Sequence, residues 1–379
     1  MMPYFQLIGY RMTRIRLALA LAILFGSSTL HAVASGYRIE TVTEGLDHPW
    51  SLAFLPDGQM LVTERVGRLR VIDAQGHLLE TPIEGVPDSL VATQAGLMDI
   101  ILDPGFAENG RIYLSQAHGT PDANNTRVVS GRLVEGRLED VRTVFTASPM
   151  KAGFSHFGGR MAFMPDRTLL VTLGDGFDYR EDAQNLRNHL GTIVRLNPEG
   201  GAPSNNPFVD QADAAPEIYT YGHRNVQGLV YDAQTNRIWS HEHGPRGGDE
   251  INLIQGGHNY GWPVVTQGVD YTGARITPYT DLPGYDAPVV DWTPSIAPSG
   301  MTLYRGELFP GWQGNLFVST LAERSVRRVR LEGTDVVEQE VLFTELGERI
   351  RDVRTGPDGA LYLLTDSEAG RVLRVVPAE

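Results

Sequence analysis

The chain has no cysteine among its 379 residues. An exported protein of this size must therefore hold together through its buried core and not through disulfides. After residue 34 no apolar run approaches the roughly 20 residues that a spanning helix needs. Long helical periodicity is nearly absent, and no G-x-G-x-x-G follows a predicted strand, which argues against a dinucleotide cofactor. Positive charge is scarce as well: the formal charge is −14. That balance argues against nucleic acid and anionic lipid as partners and keeps an exported protein soluble.

What is present begins with a leader. Arg11, Arg14 and Arg16 precede the apolar run LALALAILFG, and Ala32-Val33-Ala34 stands before Ser35. Charge, apolar core and small residues in that order predict a Sec-type signal peptide over 1–34, and a periplasmic or secreted mature protein over 35–379. An uncleaved anchor is the alternative, weakened by the shortness of the apolar run. Loss of the three leader arginines makes the mature chain more acidic still.

Over 35–379 one phrase recurs: a short apolar strand, a Pro/Asp/Gly turn and a second β-rich run. It reads AFLPDGQMLVTE from Ala53, ILDPGFAENGRIYLSQ from Ile101 and AFMPDRTLLVTLGD from Ala162, then LVYDAQTNRIWS from Leu229, ELFPGWQGNLFVST from Glu307 and TGPDGALYLLTD from Thr355. A supersecondary unit that cannot bury its faces alone, repeated this often, implies radial stacking of small sheets around a channel. The predicted fold is all-β, a six-bladed β-propeller in one domain. The turns are unevenly spaced, so the middle intervals carry insertions, chiefly Asn197 to Glu217 and Trp262 to Trp292, which read as long loops on a rigid scaffold. The segment Tyr179 to Gly191 has the acids and the Gly stop of a short helix.

Charged residues and histidines crowd the connections. His241 and His243 are spaced to share a face, with His258 nearby, a pattern open to a three-histidine zinc site. Gly244-Pro245 beside Asp249 and Glu250 suits calcium instead, since backbone carbonyls and carboxylates are hard-cation ligands. His156 opens the third repeat and Asp175 closes its strand pair. If those strands form a hairpin the two side chains meet, either as a structural hydrogen bond or as a general base and its orienting carboxylate. Tyr221-Gly222-His223-Arg224-Asn225 forms a further cluster. Arg349 and Arg351 are placed to face the same way, as surface ion pairs or as a grip on a ligand with several carboxylates.

Together these motifs resemble the soluble PQQ-dependent sugar dehydrogenases, the glucose/sorbosone or aldose sugar dehydrogenase group. The resemblance spans the mature chain. It rests on Gln94-Ala95-Gly96-Leu97-Met98-Asp99, His156 with Gly158-Gly159-Arg160, Gly174-Asp175-Gly176 and Arg224-Asn225-Val226-Gln227-Gly228, then on His243-Gly244-Pro245, Asp249-Glu250-Ile251-Asn252, Asn259-Tyr260-Gly261-Trp262-Pro263, Ala297-Pro298-Ser299-Gly300, and Arg349 with Arg351-Asp352. It implies oxidation of an aldose at C1 to the lactone, with hydride transfer to pyrroloquinoline quinone (PQQ) and electrons passed to an external acceptor. His156 would be the base, Asp175 its orienting partner, and Arg224 the group that stabilises negative charge on the quinone. Gln94, Asn225, His243, Tyr271, Arg349 and Arg351 would join Arg224 in binding the cofactor. Calcium would take the carbonyls of Gly244 and Pro245, and Glu250 with the Tyr260 carbonyl match a further calcium site.

The chain departs from the family pattern at Ala322, where many members carry a lysine that pairs with the cofactor; that leaves Arg324 and Arg327 as the candidate substitutes. His243 stands where glucose-specific members have Gln, and Ala95 where Gly is common. The protein is expected to be a monomer or weak homodimer. Two other readings compete: a calcium-dependent propeller lactonase, which leaves Arg349 and Arg351 without a task, and a non-enzymatic propeller that binds carbohydrate or protein.

Overall fold

The computed structural model describes residues 36–378, so the predicted leader lies outside the described residues. Strand β1 (Tyr37–Leu46) comes first, and β2 (Pro49–Phe54), β3 (Met60–Glu64) and β4 (Arg68–Ile72) form a three-stranded antiparallel sheet. Four-stranded sheets follow. One contains β5 (Leu97–Leu102), β6 (Arg111–Thr120), β7 (Ala123–Val134) and β8 (Arg137–Thr146); the next contains β9 (Met161–Phe163), β10 (Leu169–Thr172), β11 (Thr192–Leu196) and β12 (Ile218–Tyr221). Then come β13 (Val226–Asp232), β14 (Arg237–Glu242), β15 (Asp249–Ile254) and β16 (Val290–Trp292), and after them β17 (Pro298–Leu303), β18 (Leu316–Thr320), β19 (Val326–Glu332) and β20 (Asp335–Leu342). The last sheet joins β21 (Ile350–Thr355), β22 (Leu361–Thr365) and β23 (Gly370–Pro377) to β1, so the ring is closed by strands from both ends of the described chain. The six sheets are the blades of a β-propeller.

Each recurring phrase is the hairpin between the first two strands of a blade, and its aspartate has a fixed task. The carboxylates of Asp57, Asp103, Asp166, Asp232 and Asp358 each accept the backbone N–H two residues on, at 2.8–3.1 Å. These Asx turns explain why the phrase survives where the strands differ. In the fifth blade a 3-10 turn over Pro310–Trp312 replaces it.

Strand alternation then builds the core. Leu61 packs toward the second blade and Val62 toward the sixth; Leu169 and Leu170, Ile238 and Trp239, and Leu316 and Phe317 divide in the same way. Middle strands are apolar on both faces because both faces meet a neighbouring blade.

The innermost strands are tied at the axis by Arg160, 2% exposed. Its guanidinium donates to the Gln227 carbonyl (2.8 Å) on β13, the Ser299 carbonyl (3.2 Å) on β17 and Asp99 (3.3 Å) on β5, and pairs with Asp352 (3.0 Å) on β21. Ser51 on β2 donates to the same Asp99 at 2.6 Å, so one buried network reaches every blade.

One expectation needs adjustment, and one alternative falls away. Tyr179–Gly191 forms a 3-10 turn over Arg180–Gln184 and no longer helix. Asn188 caps the Leu190 N–H and donates to Asp182, side-chain bonds that compete with helix continuation. No zinc centre is formed: His258 pairs with Asp286 at 2.7 Å, and among the described residues no group of three or more His, Asp or Glu side chains converges as metal ligands do.

Candidate active site

A cavity opens where the chain enters the inner strands. Trp50 on β2, Gln94 before β5, His156 before β9, Arg224 and Asn225 before β13, and Arg349 before β21 all line it. His243, Tyr271 and Arg351 join them, so every residue predicted to be catalytic or to bind cofactor lines the cavity except Asp175, which stands behind His156.

β9 and β10 form the predicted hairpin, and His156 Nδ1 lies 2.7 Å from Asp175 Oδ1. Asp175 also accepts the Phe177 N–H and the Trp262 indole N–H, each at 2.8 Å. Burial works to raise the Asp175 pKa, but the bond from His156 and the positive Arg224 outweigh it and hold the group below its ordinary value. An ionised carboxylate only accepts, so His156 must carry its proton on Nδ1 and present the Nε2 lone pair to the cavity. Burial pushes His156 below its ordinary value despite the bond from Asp175, and Arg224 and Lys151 add to the lowering. The imidazole is therefore neutral, as a base must be, at neutral pH.

The backbone that sets this geometry is strained. His156 has φ +54°, and a Cβ at Gly174 would lie 2.2 Å from the His156 carbonyl oxygen. Left-handed backbone at a non-glycine residue costs of order 1 kcal/mol and persists only where the surroundings enforce it. Here the Gln94 side chain accepts the His156 N–H at 3.0 Å.

Arg224 is held by three acceptors: the Gly244 carbonyl at 2.7 Å, the His243 carbonyl at 3.1 Å and the Tyr271 hydroxyl at 3.3 Å. Its guanidinium lies 5.3 Å from the Trp262 ring centroid. Burial lowers His243 to about 4, so this ring too is neutral at neutral pH. Asn225 accepts the Gly158 N–H at 3.1 Å. Arg349 and Arg351 converge on Asp366 at 2.9 and 3.2 Å, and Arg351 Nε is buried without a partner.

Pro245 borders an adjoining depression with Phe177, Trp262 and Tyr271. Glu250 and Tyr260 do not line the main cavity. Glu250 lies across the strands from Glu242 and Asp291, and burial together with Glu242 pushes its pKa well above the ordinary carboxylate range. Tyr260 stacks on His223 at 4.7 Å, and His223 is closed off by Glu242 at 2.8 Å and Thr220 at 3.0 Å. The substitutes expected for the missing lysine do not reach the cavity: Arg327 is paired with Glu323, and Arg324 donates to the Gly347 carbonyl. Sequence reasoning missed Trp50, Arg65 and Asp366 as lining residues.

A family model described as Glucose / Sorbosone dehydrogenase matches residues 46–374. The chain belongs to the glucose/sorbosone dehydrogenase family. It is 43% identical over 357 residues to the aldose sugar dehydrogenase YliI of Escherichia coli, covering 93% of this chain and 96% of that one. The crystal structure of the soluble aldose sugar dehydrogenase of E. coli in its apo form superposes with a TM-score of 0.87 at 42% identity, over 90% of this chain and all of that one. The PQQ-bound aldose sugar dehydrogenase of Streptomyces coelicolor superposes with a TM-score of 0.73 at 29% identity, over 89% of this chain and 98% of that one.

In this glucose/sorbosone dehydrogenase the cavity suits a polyanion. Arg65, Arg224, Arg349 and Arg351 line it against one carboxylate, Asp366, in a chain whose formal charge is −14. The unpartnered Arg351 Nε adds an orphan buried donor. A planar cofactor with several carboxylates fits that donor set. Calcium fits less well: the Gly244 carbonyl is already turned to the Arg224 guanidinium, and Glu250 and Tyr260 stand apart from the cavity.

Proposed function

We propose that the protein is a PQQ- and calcium-dependent aldose sugar dehydrogenase, exported to the periplasm or beyond after cleavage near residue 34. It would oxidise aldoses at C1 to the lactone and pass the electrons to an external acceptor. The observation that carries this reading is the His156–Asp175 pair, with Nε2 open to a cavity whose other charged walls are mostly guanidinium. When bound, the quinone supplies the two-electron acceptor that the protein side chains lack.

His156 Nε2 takes the C1-hydroxyl proton, and Asp175 holds the imidazole in the tautomer that allows it and stabilises the imidazolium that forms. Arg224, fixed by the His243 and Gly244 carbonyls, keeps a positive charge beside the reacting centre, where negative charge develops during the transfer. Arg349 and Arg351 grip cofactor carboxylates, with Asp366 orienting both forks. Gln94, Asn225, His243 and Tyr271 complete the walls.

No step is routed through calcium, because the Gly244 carbonyl serves Arg224 as it stands. Its place in the proposal is tested directly by chelation. Loss of PQQ-dependent activity in EGTA, restored by calcium, supports the requirement; full activity in EGTA removes it. The parent reading is tested by His156→Gln, which is expected to keep quinone binding and lose most turnover. Unchanged turnover refutes the base.

A further inference from the structure

Lys151 is the only lysine in the sequence, and its side chain is buried at 2% exposure. An ammonium out of water is costly unless it is paired, and pairing here is sparse. Nζ donates to Asn124 Oδ1 at 3.2 Å and lies 3.9 Å from the centroid of the Phe157 ring. Asn124 is fixed in turn by 2.8 Å backbone bonds in both directions with Lys151 and by donation to the Thr120, Pro121 and Gly153 carbonyls. The aliphatic stem crosses Gly176, where a Cβ would lie 2.4 Å from Lys151 Cδ. Lys151 thus touches the residue after His156 and the residue after Asp175.

We propose that Lys151 is a positioning residue for the His156–Asp175 pair: its buried ammonium, packed on Phe157 and Gly176, adds to the positive field that keeps His156 in its neutral, proton-accepting form beside the Asp175 carboxylate. The proposal rests on the reading of His156 as the base. Attraction between ammonium and carboxylate steadies the carboxylate, and repulsion between ammonium and imidazolium opposes protonation of the ring. The other charges that bear on the group are Asp175 and Asp178, which support the ammonium, and Arg224, which acts with it on His156. The Tyr179 hydroxyl closes the pocket by accepting the Ala152 N–H at 3.1 Å. Burial lowers Lys151 itself to about 8, so the charge is present at neutral pH.

The test uses the full chain without cofactor. In histidine-labelled protein, the His156 imidazole signal is assigned by its loss in His156→Gln and titrated by NMR in wild type and in Lys151→Met, a nearly isosteric apolar replacement. The midpoint is expected to rise by about half a unit or more on removing the cation. In PQQ-loaded enzyme the acid limb of kcat/KM should move the same way. An unchanged imidazole midpoint overturns the proposal. Should Lys151→Met fail to fold, lysine labelling gives a single side-chain signal in Asp175→Asn, whose midpoint should fall below that of wild type; an unchanged midpoint is again fatal. These titrations need no turnover, so they stand apart from the activity of His156→Gln, which tests the parent reading.

Discussion

Replacing Arg160 by Met should destabilise the whole propeller, because one side chain ties the inner strands together. The change removes pairing to Asp99 at 3.3 Å and Asp352 at 3.0 Å, and orphans the Gln227 and Ser299 carbonyls. Arg354 still neutralises part of the acidic pair, at 3.0 Å from Asp99 and 2.8 Å from Asp352. Breaking one side of a buried ion network costs about 3–5 kcal/mol, and with a residual partner the lower half of that range applies. For a domain of this size about 1.4 °C per kcal/mol follows from the size scaling of unfolding entropy, so a fall of roughly 4–6 °C is expected in calorimetry. A double-mutant cycle with Asp99→Asn isolates the pair, and its coupling should exceed about 1 kcal/mol. A loss below about 1 °C for Arg160→Met would show that Arg354 alone satisfies both carboxylates and that the axial network is not what joins the blades.

Other outcomes follow from the site. His156→Gln should lower kcat by about two to four orders of magnitude with little change in quinone affinity, read by turnover and by quinone titration. Arg349→Ala combined with Arg351→Ala leaves Asp366 as an uncompensated anion in the cavity and should weaken PQQ binding at least about tenfold; normal affinity would place the carboxylate grip elsewhere. Gly174→Ala should cost activity far more than an ordinary Gly→Ala change, since the new methyl meets the His156 carbonyl; wild-type turnover would contradict the packing. Histidine burial should make stability depend on pH in a fixed direction. Burial lowers His118, His156 and His241 from their ordinary value near 6.5. On these rings the unfolded chain binds more protons below about pH 6.5, so their contribution to stability rises with pH from about 5 to 7 and is complete above, set against the opposing contribution of the raised Glu250 carboxyl. A urea midpoint that falls over that interval would contradict a net gain from these burials.

The blade phrase was legible because it encodes a turn. An aspartate accepting the N–H two residues on needs a particular residue at a particular place, and strands packed on both faces need continuous apolar runs. The His156–Asp175 contact was legible for the same reason, since a hairpin fixes which ends meet. The short helix read at Tyr179–Gly191 is present only as a 3-10 turn over Arg180–Gln184, because Asn188 bonds to Asp182 and to the Leu190 N–H, which composition alone does not reveal. Asp366 was missed although a signal existed. Acids at the ends of second strands recur: Glu64 takes Arg68 and Arg70, Glu242 takes His223, and Asp366 takes Arg349 and Arg351. Aligning the phrases by their ends would have found it. Arg65 and Trp50 gave no such warning, because their approach to the cavity depends on how blades meet around the axis. Neither candidate for the absent lysine's place lines the cavity, because Glu323 lies within reach of Arg327 and captures it while Arg324 donates to the Gly347 carbonyl.

The most direct test of the account is dye-linked oxidation of a panel of aldoses by the purified protein, with calcium, with and without added PQQ. The account predicts aldose oxidation that appears only with the quinone and is lost in His156→Gln. No oxidation of any aldose, with no spectral change or thermal stabilisation on adding the quinone, would contradict it, and lactone hydrolysis under the same conditions would move the assignment to a propeller hydrolase.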